Sequence, residues 1–453
     1  MKRTIARRRR QYCFVACIVL TLWILDSINW NRYHNAYPPV SNLQVAPYGV
    51  RFPYCAALFN NVSSRALRDY ASKWVPYDLR SDAEYAKLTK NCTRFRQKIW
   101  FPSEPHSKVE AEYALAYAIL VHNSTEQAIR LLQGIYWPQN IYCIHIDLKA
   151  TAEFKMALHQ AAACLPNVLI ASQSINITWG EFSVLQAAIV CFDDLLKEAE
   201  RVPWRYVQIY SGKDFPLRTN LELVNIFKIL NGSNDCELKL PTANLYVWIL
   251  IKTGNVYETP GFRMIPPHNV TLYKGGFQVS LTREFVHFAR TDRRALDLLT
   301  HARGTMVPDE IYFSTLIHNG HLGAPGHYPG ACLAYYSGAK TEKPNFSRFQ
   351  SWPGGTKRPC RSSHWARGSC IYGVRDLATF KRRLELTAHK FSIEFQPAAL
   401  RCLAERLYNA TWKPSENTTS EKLYNTYRRL PHVIYQRLVN KSNFNCEPYG
   451  VFD

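Results

Sequence analysis

The sequence predicts an α/β protein with a mostly parallel central sheet, preceded by a single N-terminal membrane anchor. Three observations carry this. From Tyr113 to Leu230, short apolar runs of strand length alternate with stretches of helical periodicity. Over 453 residues, 47% hydrophobic and 13% aromatic content is enough for a large core and excludes a disordered chain. No segment recurs at a fixed period, which excludes a solenoid or propeller.

The chain opens with Lys2, Arg3 and Arg7, Arg8, Arg9 and Arg10, followed by the apolar run Tyr12–Leu25, which resumes weakly after Asp26 as far as Trp30. The run is shorter than the roughly 20 residues of a full span and fits a signal-peptide core, but Asp26–Trp30 makes a poor cleavage site. A cytosolic tail over residues 1–10 and a signal-anchor helix over 11–30 are expected, with type II topology and the remainder in the lumen. Ten Asn-x-Ser/Thr sequons, from Asn61 to Asn440, agree with a luminal body. Of 13 cysteines, Cys13 and Cys17 lie in the anchor, and the others show no CxxC or Cys/His ligand spacing, so disulfides are expected rather than zinc. Eleven remain outside the anchor, an odd number, so at least one thiol is free or pairs between chains. A homodimer stays among the expected partners.

Residues 31–105 are irregular at first, with Pro38, Pro39, Pro47 and Pro53, then turn helical near Arg65–Leu88. They are expected to form a luminal stem, leaving 106–453 as the catalytic-size body. Within the body, Tyr113–His122, Asn140–Asp147, Asn167–Ser172 and Arg205–Ser211 read as strands. Glu126–Tyr136, Thr151–Cys164, Phe182–Ala199 and Asn220–Leu230 read as the intervening helices. Past Cys236 the order loosens toward a mixed sheet with long loops.

In such sheets ligands collect at the carboxyl ends of the strands, which singles out His122-Asn123, Asp147 and Ser211–Asp214. The plain alternative is that Asp147 and Asp214 only cap turns. GxGxxG, GxxxxGK[ST] and GxSxG are all absent, so a dinucleotide fold, a P-loop and an α/β-hydrolase elbow lack their signals. Net charge is +21, but outside the leader it is dispersed. Such a charge suggests an anionic ligand, a polyanionic surface or nothing specific, and no nucleic acid is expected.

YAILVHN (117–123), YWPQNIYCIHID (136–147), SGKDFPLRTN (211–220), PDEIYFSTL (308–316) and Cys360–Cys370 with the following IYGVRDL resemble the core-2/I-branching β1,6-N-acetylglucosaminyltransferases over roughly Ala111–Arg406. The wider family includes the protein O-xylosyltransferases. The resemblance implies a GT-A-type fold and inverting transfer from a UDP-sugar to a glycan, without a metal cofactor. The sequence agrees on the last point, since its 14 aspartates include no pair at i and i+2 that could chelate a metal diphosphate. Cations must then meet the charge on the departing diphosphate, and the family positions match Arg367 and Lys390. The general base falls on Glu310, in what reads as the first turn of a helix starting at Pro308.

The same resemblance implies uridine contacts at Val121, His122 and Asp147. Trp179-Gly180-Glu181 replaces a Tyr-Ala-Ser of branching enzymes at the donor site and is closer to the wider family. UDP-glucose and UDP-xylose therefore stay open beside UDP-GlcNAc. On the acceptor side it implies Glu237 and a stacking Trp352. The basic residues that normally follow the glutamate fall near Asn244 and Val247, although Trp248 is kept, and the neighbouring Tyr is replaced by Gly354. Core-1 O-glycan (Gal-β1,3-GalNAc on Ser/Thr of glycoproteins) is the leading acceptor, in the Golgi lumen. The family pairing gives disulfides Cys55–Cys402, Cys92–Cys164, Cys143–Cys191 and Cys360–Cys370, leaving one pair open among Cys236, Cys332 and Cys446. An inactive glycan-binding protein and a secreted polyanion-binding ectodomain are the rivals of other classes.

Overall fold

The computed structural model describes residues 45–46, 48–239, 248–252, 255–259, 265–332, 345–354, 359–381, 383–413 and 421–446. The tail and signal anchor expected over 1–30 lie outside them, as do Asn244 and Val247. Among the described residues no helix is long and apolar enough to cross a membrane.

The predicted alternation forms the body. Strands β1 (Leu115–Val121), β2 (Ile141–Ile146), β3 (Val168–Ile170) and β4 (Tyr206–Ser211) are linked by helices α1 (Thr125–Ile135), α2 (Ala152–Ala163) and α3 (Phe182–Lys197), and α4 (Asn220–Leu230) follows. These four strands are parallel. After β5 (Asp214–Pro216) comes β6 (Ser280–Thr282), which adds antiparallel to β4, so the sheet order is β6-β4-β1-β2-β3. A second sheet is assembled from distant pieces: β7 (Arg348–Gln350) lies parallel to β8 (Thr387–His389), which pairs antiparallel with β5.

The period-2 pattern of β1 explains how helices pack on both faces. Leu115, Tyr117, Ile119 and Val121 enter one buried cluster with α1, α2 and α4. The small Ala116 and Ala118 turn to the other face, leaving room for Leu185, Ala188 and Phe192 of α3. Strand β3 is shorter than its apolar run; just past it, the Asp194 carboxylate accepts from the backbone N–H of Ser172 at 2.7 Å. Helix α4 starts where predicted because Thr219 and Glu222 form a reciprocal capping box.

The helical stretch near Arg65–Leu88 is two helices, Arg65–Lys73 and Asp82–Leu88. Pro76 lies between them and cannot continue a helix. Both pack on the body rather than standing apart from it. Cys55–Cys402 and Cys92–Cys164 join this region to α5 (Pro397–Trp412) and to the end of α2. A buried ion network reinforces the seam: Arg130 contacts Glu126 at 2.6 Å and Asp78 at 3.0 Å, and Arg401 contacts Asp78 at 2.6 Å. Cys143–Cys191 ties β2 to α3, Cys360–Cys370 closes a short loop, and Cys332 pairs with Cys446.

Candidate active site

Two strand ends form the first part of the site. The Val121 carbonyl at the end of β1 accepts from the backbone N–H of Asp147 at 2.9 Å, which sets His122 and Asp147 side by side. Asp147 is buried, caps its own turn through the Lys149 N–H at 2.8 Å, and pairs with the Lys149 ammonium at 3.2 Å. That ammonium also donates to Asn176 Oδ1 at 2.7 Å. Asp214 is a turn cap as well: it accepts from the Ser211 N–H at 2.6 Å and bonds His389 Nδ1 at 2.6 Å. So both aspartates do cap turns, but only Asp147 also borders His122.

Arg367 is presented by a tight hairpin. Trp365–Ala366 pairs with Ser369–Cys370, leaving Arg367 and Gly368 as a two-residue turn. Their φ values of +49° and +72° are both left-handed, as a type I′ turn demands. The Cys360–Cys370 disulfide anchors the strand that leaves this turn. Lys390, directly after β8, donates from Nζ to the Ala366 carbonyl at 2.8 Å and so lies against the same hairpin. Burial, then the charges of Arg367 and Lys213, push the Lys390 ammonium below its ordinary value. His122 is pushed down by burial and then by Lys213, against the pull of Asp147. One field therefore covers the ends of β1, β2 and β4 and the Arg367 hairpin. Among the described residues, Lys213, Arg367 and Lys390 form no ion pair with a carboxylate. Such a concentration of positive charge suits an anion.

Glu310 ends a 3-10 turn, Pro308–Glu310, and the α-helix proper begins at Tyr312. The expected helix start is thus one turn earlier than the helix, which leaves Glu310 on a loop-like element. Its carboxylate pairs with Lys274, and its carbonyl accepts from the Gly275 N–H at 2.6 Å. Lys274 and Lys239 exchange backbone hydrogen bonds, and Lys239 pairs with Glu237 at 2.6 Å. Gly275 is what allows this approach, because a Cβ there would lie 2.7 Å from the Glu237 carbonyl. The structure thus brings Glu237 and Glu310 together.

Arg348 on β7 donates to Gln278, and the carboxylates of Asp214, Glu237 and Glu310 act on its guanidinium against a dominant burial cost. Since Gln350 of β7 is registered with His389 of β8, the small sheet links the carboxylates to Lys390. Next to Glu310, Asp309 is buried, with Oδ1 lacking a hydrogen-bond partner among the described residues. Burial, then the Glu310 charge, raises its carboxyl to about 7.

The two tryptophans flank these groups. Trp179 is exposed, and the neighbouring Gly180 carbonyl accepts from the Val307 N–H at 3.0 Å, which sets this loop beside the Glu310 turn. Trp352, half exposed, lies against Gly368, where a Cβ would sit 3.7 Å from its ring, so it borders the Arg367 hairpin. Lys274 and Arg348 are members of the site that sequence reasoning missed. Neither carries a local signature, and Lys274 lies 36 positions from the glutamate it pairs with. Among the described residues no three His, Cys, Asp or Glu side chains converge as a metal site.

A carboxylate on one flank and a group of cations on the other can remove a proton and receive a phosphate leaving group. The chain matches the family Core-2/I-Branching enzyme over residues 115–380, more than half its length. A mouse (Mus musculus) N-acetyllactosaminide beta-1,6-N-acetylglucosaminyl-transferase is 36% identical over 334 residues, covering 72% of this chain and 80% of the relative. Its Homo sapiens counterpart is 35% identical over 341 residues, covering 74% and 82%. A Rattus norvegicus beta-1,3-galactosyl-O-glycosyl-glycoprotein beta-1,6-N-acetylglucosaminyltransferase 3 is 30% identical over 338 residues, covering 72% and 75%. This chain therefore belongs to the core-2/I-branching enzyme family and is a UDP-sugar-dependent hexosyltransferase of the β1,6-N-acetylglucosaminyltransferase type.

Proposed function

We propose that the protein transfers GlcNAc from UDP-GlcNAc to a 6-hydroxyl of a core-1 O-glycan, with inversion and without a metal, as a type II membrane protein of the Golgi lumen. The observation that carries this is the small β7-β8-β5 sheet, which pairs β7, bearing Arg348 within the field of Glu310, with β8, whose following residue Lys390 lies against the Arg367 hairpin. Glu310 takes the proton of the acceptor hydroxyl as its oxygen bonds to the anomeric carbon. The bond from that carbon to the β-phosphate oxygen breaks, and its electron pair leaves with UDP. Arg367 and Lys390 stabilise the charge that develops there, the task a metal ion performs elsewhere. Val121, His122, Asp147 and Trp179 border the nucleotide-sugar, and Glu237 the acceptor. Trp352 stacks on a sugar ring at the donor side of the acceptor site.

A second acceptor is favoured by a specific observation: the relatives at 36% and 35% identity are named for N-acetyllactosaminide. The test uses the full-length chain from a secretory host, in detergent with EDTA. UDP-GlcNAc, UDP-glucose and UDP-xylose are offered with Gal-β1,3-GalNAc or N-acetyllactosamine acceptors, and the product linkage is read by NMR. A β1,6-linked GlcNAc on the core-1 acceptor is expected. Transfer abolished by EDTA, or a different sugar in the product, would overturn the proposal.

A further inference from the structure

We propose that Lys213 is a third cation of the donor pocket and contacts the phosphates of the bound nucleotide. This rests on the donor-site reading above and adds a residue to it. Lys213 follows the carboxyl end of β4. The chain runs outward from β1 through β2 to β3, then returns to place β4 on the opposite flank of β1. The order of the sheet reverses between β1 and β4, and crevices at such points hold ligands in parallel sheets. The turn is fixed there by the Gly212 N–H, which donates to the Leu120 carbonyl at 2.8 Å. Gly212 itself lies so close to β1 that a Cβ would come within 3.0 Å of Val121 Cγ1.

The backbone also delivers Lys213 to the second phosphate cation. His389 is registered with Asp214 across the β8–β5 ladder, and the Phe391 N–H donates to the Lys213 carbonyl at 2.8 Å. Lys213 and Lys390 are therefore cross-strand neighbours. Like charges at such positions repel and cost stability, so a fold without a use for both would not gather them. The Lys213 ammonium bonds the neutral Gln127 Oε1 at 3.2 Å, an oxygen that also accepts from the Ile393 N–H at 3.1 Å. The side chain is half-buried, and its positive charge is felt by both His122 and Lys390. A neutral side chain would serve the Gln127 contact equally well. What a lysine or arginine adds is charge beside His122 and Lys390; Glu394 attracts that charge, but forms no ion pair with it among the described residues, which leaves the ammonium for an anion.

The test compares the full-length wild type with Lys213→Met, Lys213→Arg and Arg367→Ala. Affinities for UDP and for uridine, which lacks phosphate, are measured by calorimetry at several salt concentrations, with thermal melts of each variant. The expected result is that Lys213→Met weakens UDP binding by about ten-fold or more, as loss of a charge-assisted hydrogen bond should. Uridine affinity is expected to stay unchanged and the salt dependence of UDP binding to become shallower, with Lys213→Arg restoring most of the affinity. If Lys213→Met weakens UDP and uridine equally, or UDP binding not at all while Arg367→Ala weakens it, Lys213 has a structural role only and the proposal falls. If wild-type protein does not bind UDP, or Arg367→Ala is also without effect, the donor-site reading fails with it.

Discussion

Replacing His145 with glutamine tests how the end of β2 holds the loop beside the donor site. His145 is fully buried, and its Nε2 accepts from the Ile175 N–H at 2.9 Å. That bond fixes the ring as neutral with the proton on Nδ1, which has no hydrogen-bond partner among the described residues. Protonation would put a second N–H where Ile175 already donates. Burial lowers the imidazole from 6.5 to about 4, against the pull of Asp147. Below pH 6.5 the unfolded chain takes up a proton that the folded chain refuses. The stability this residue contributes is therefore full above pH 6.5, is lost as pH falls toward 4, and changes no further below that. With those two values the loss is about 1.4 kcal/mol at pH 5.5 and approaches about 3.4 kcal/mol at the acid limit. Glutamine can keep an acceptor for Ile175 without titrating. Urea unfolding of wild type and His145→Gln at pH 7.5 and 5.5 isolates the effect from other histidines. Wild type is expected to lose about 1.4 kcal/mol more than the variant between the two pH values. Parallel losses in both proteins would refute the assignment of a buried neutral imidazole.

Other consequences follow from the same structure. Asp309, raised to about 7 by burial, binds its proton more tightly folded than unfolded, so its contribution to stability falls as pH climbs from the ordinary carboxylate range to 7. Asp309→Asn is expected to gain stability over wild type at pH 8 and not at pH 4, read by thermal melts. Gly368→Ala puts a side chain at φ +72° in the Arg367 turn, which costs roughly 1–2 kcal/mol and should weaken UDP binding with it, measured by melts and calorimetry. Glu126→Gln leaves Arg130 and Arg401 short of a carboxylate in the buried seam, and a destabilisation of about 3–5 kcal/mol is expected in urea unfolding.

The parts of the fold written in local pattern were legible from sequence. Asn220–Leu230 could be bounded because Thr219 and Glu222 cap it, and β1, β2 and β4 because buried parallel strands read as continuous apolar runs. The second sheet was not, because its three strands have three residues each and pair across up to 175 positions. Period-2 alternation over three residues carries no signal. The residues of the site divide the same way. Val121 and Asp147 stand at strand ends that the pattern marks, whereas Lys274 and Arg348 reach Glu310 only through tertiary packing. The pairing of Cys332 with Cys446, 114 positions apart, likewise has no local cue to separate it from a pairing with Cys236.

The assignment of Glu310 as the base is tested most directly by one comparison: transfer and UDP binding by wild type and Glu310→Gln, with UDP-GlcNAc, Gal-β1,3-GalNAc and EDTA. The substitution keeps the size of the side chain and a hydrogen-bond acceptor toward Lys274, but cannot take the acceptor proton. A loss of turnover of roughly 100-fold or more with UDP affinity retained is predicted. Turnover near the wild-type rate in Glu310→Gln would contradict the proposed chemistry.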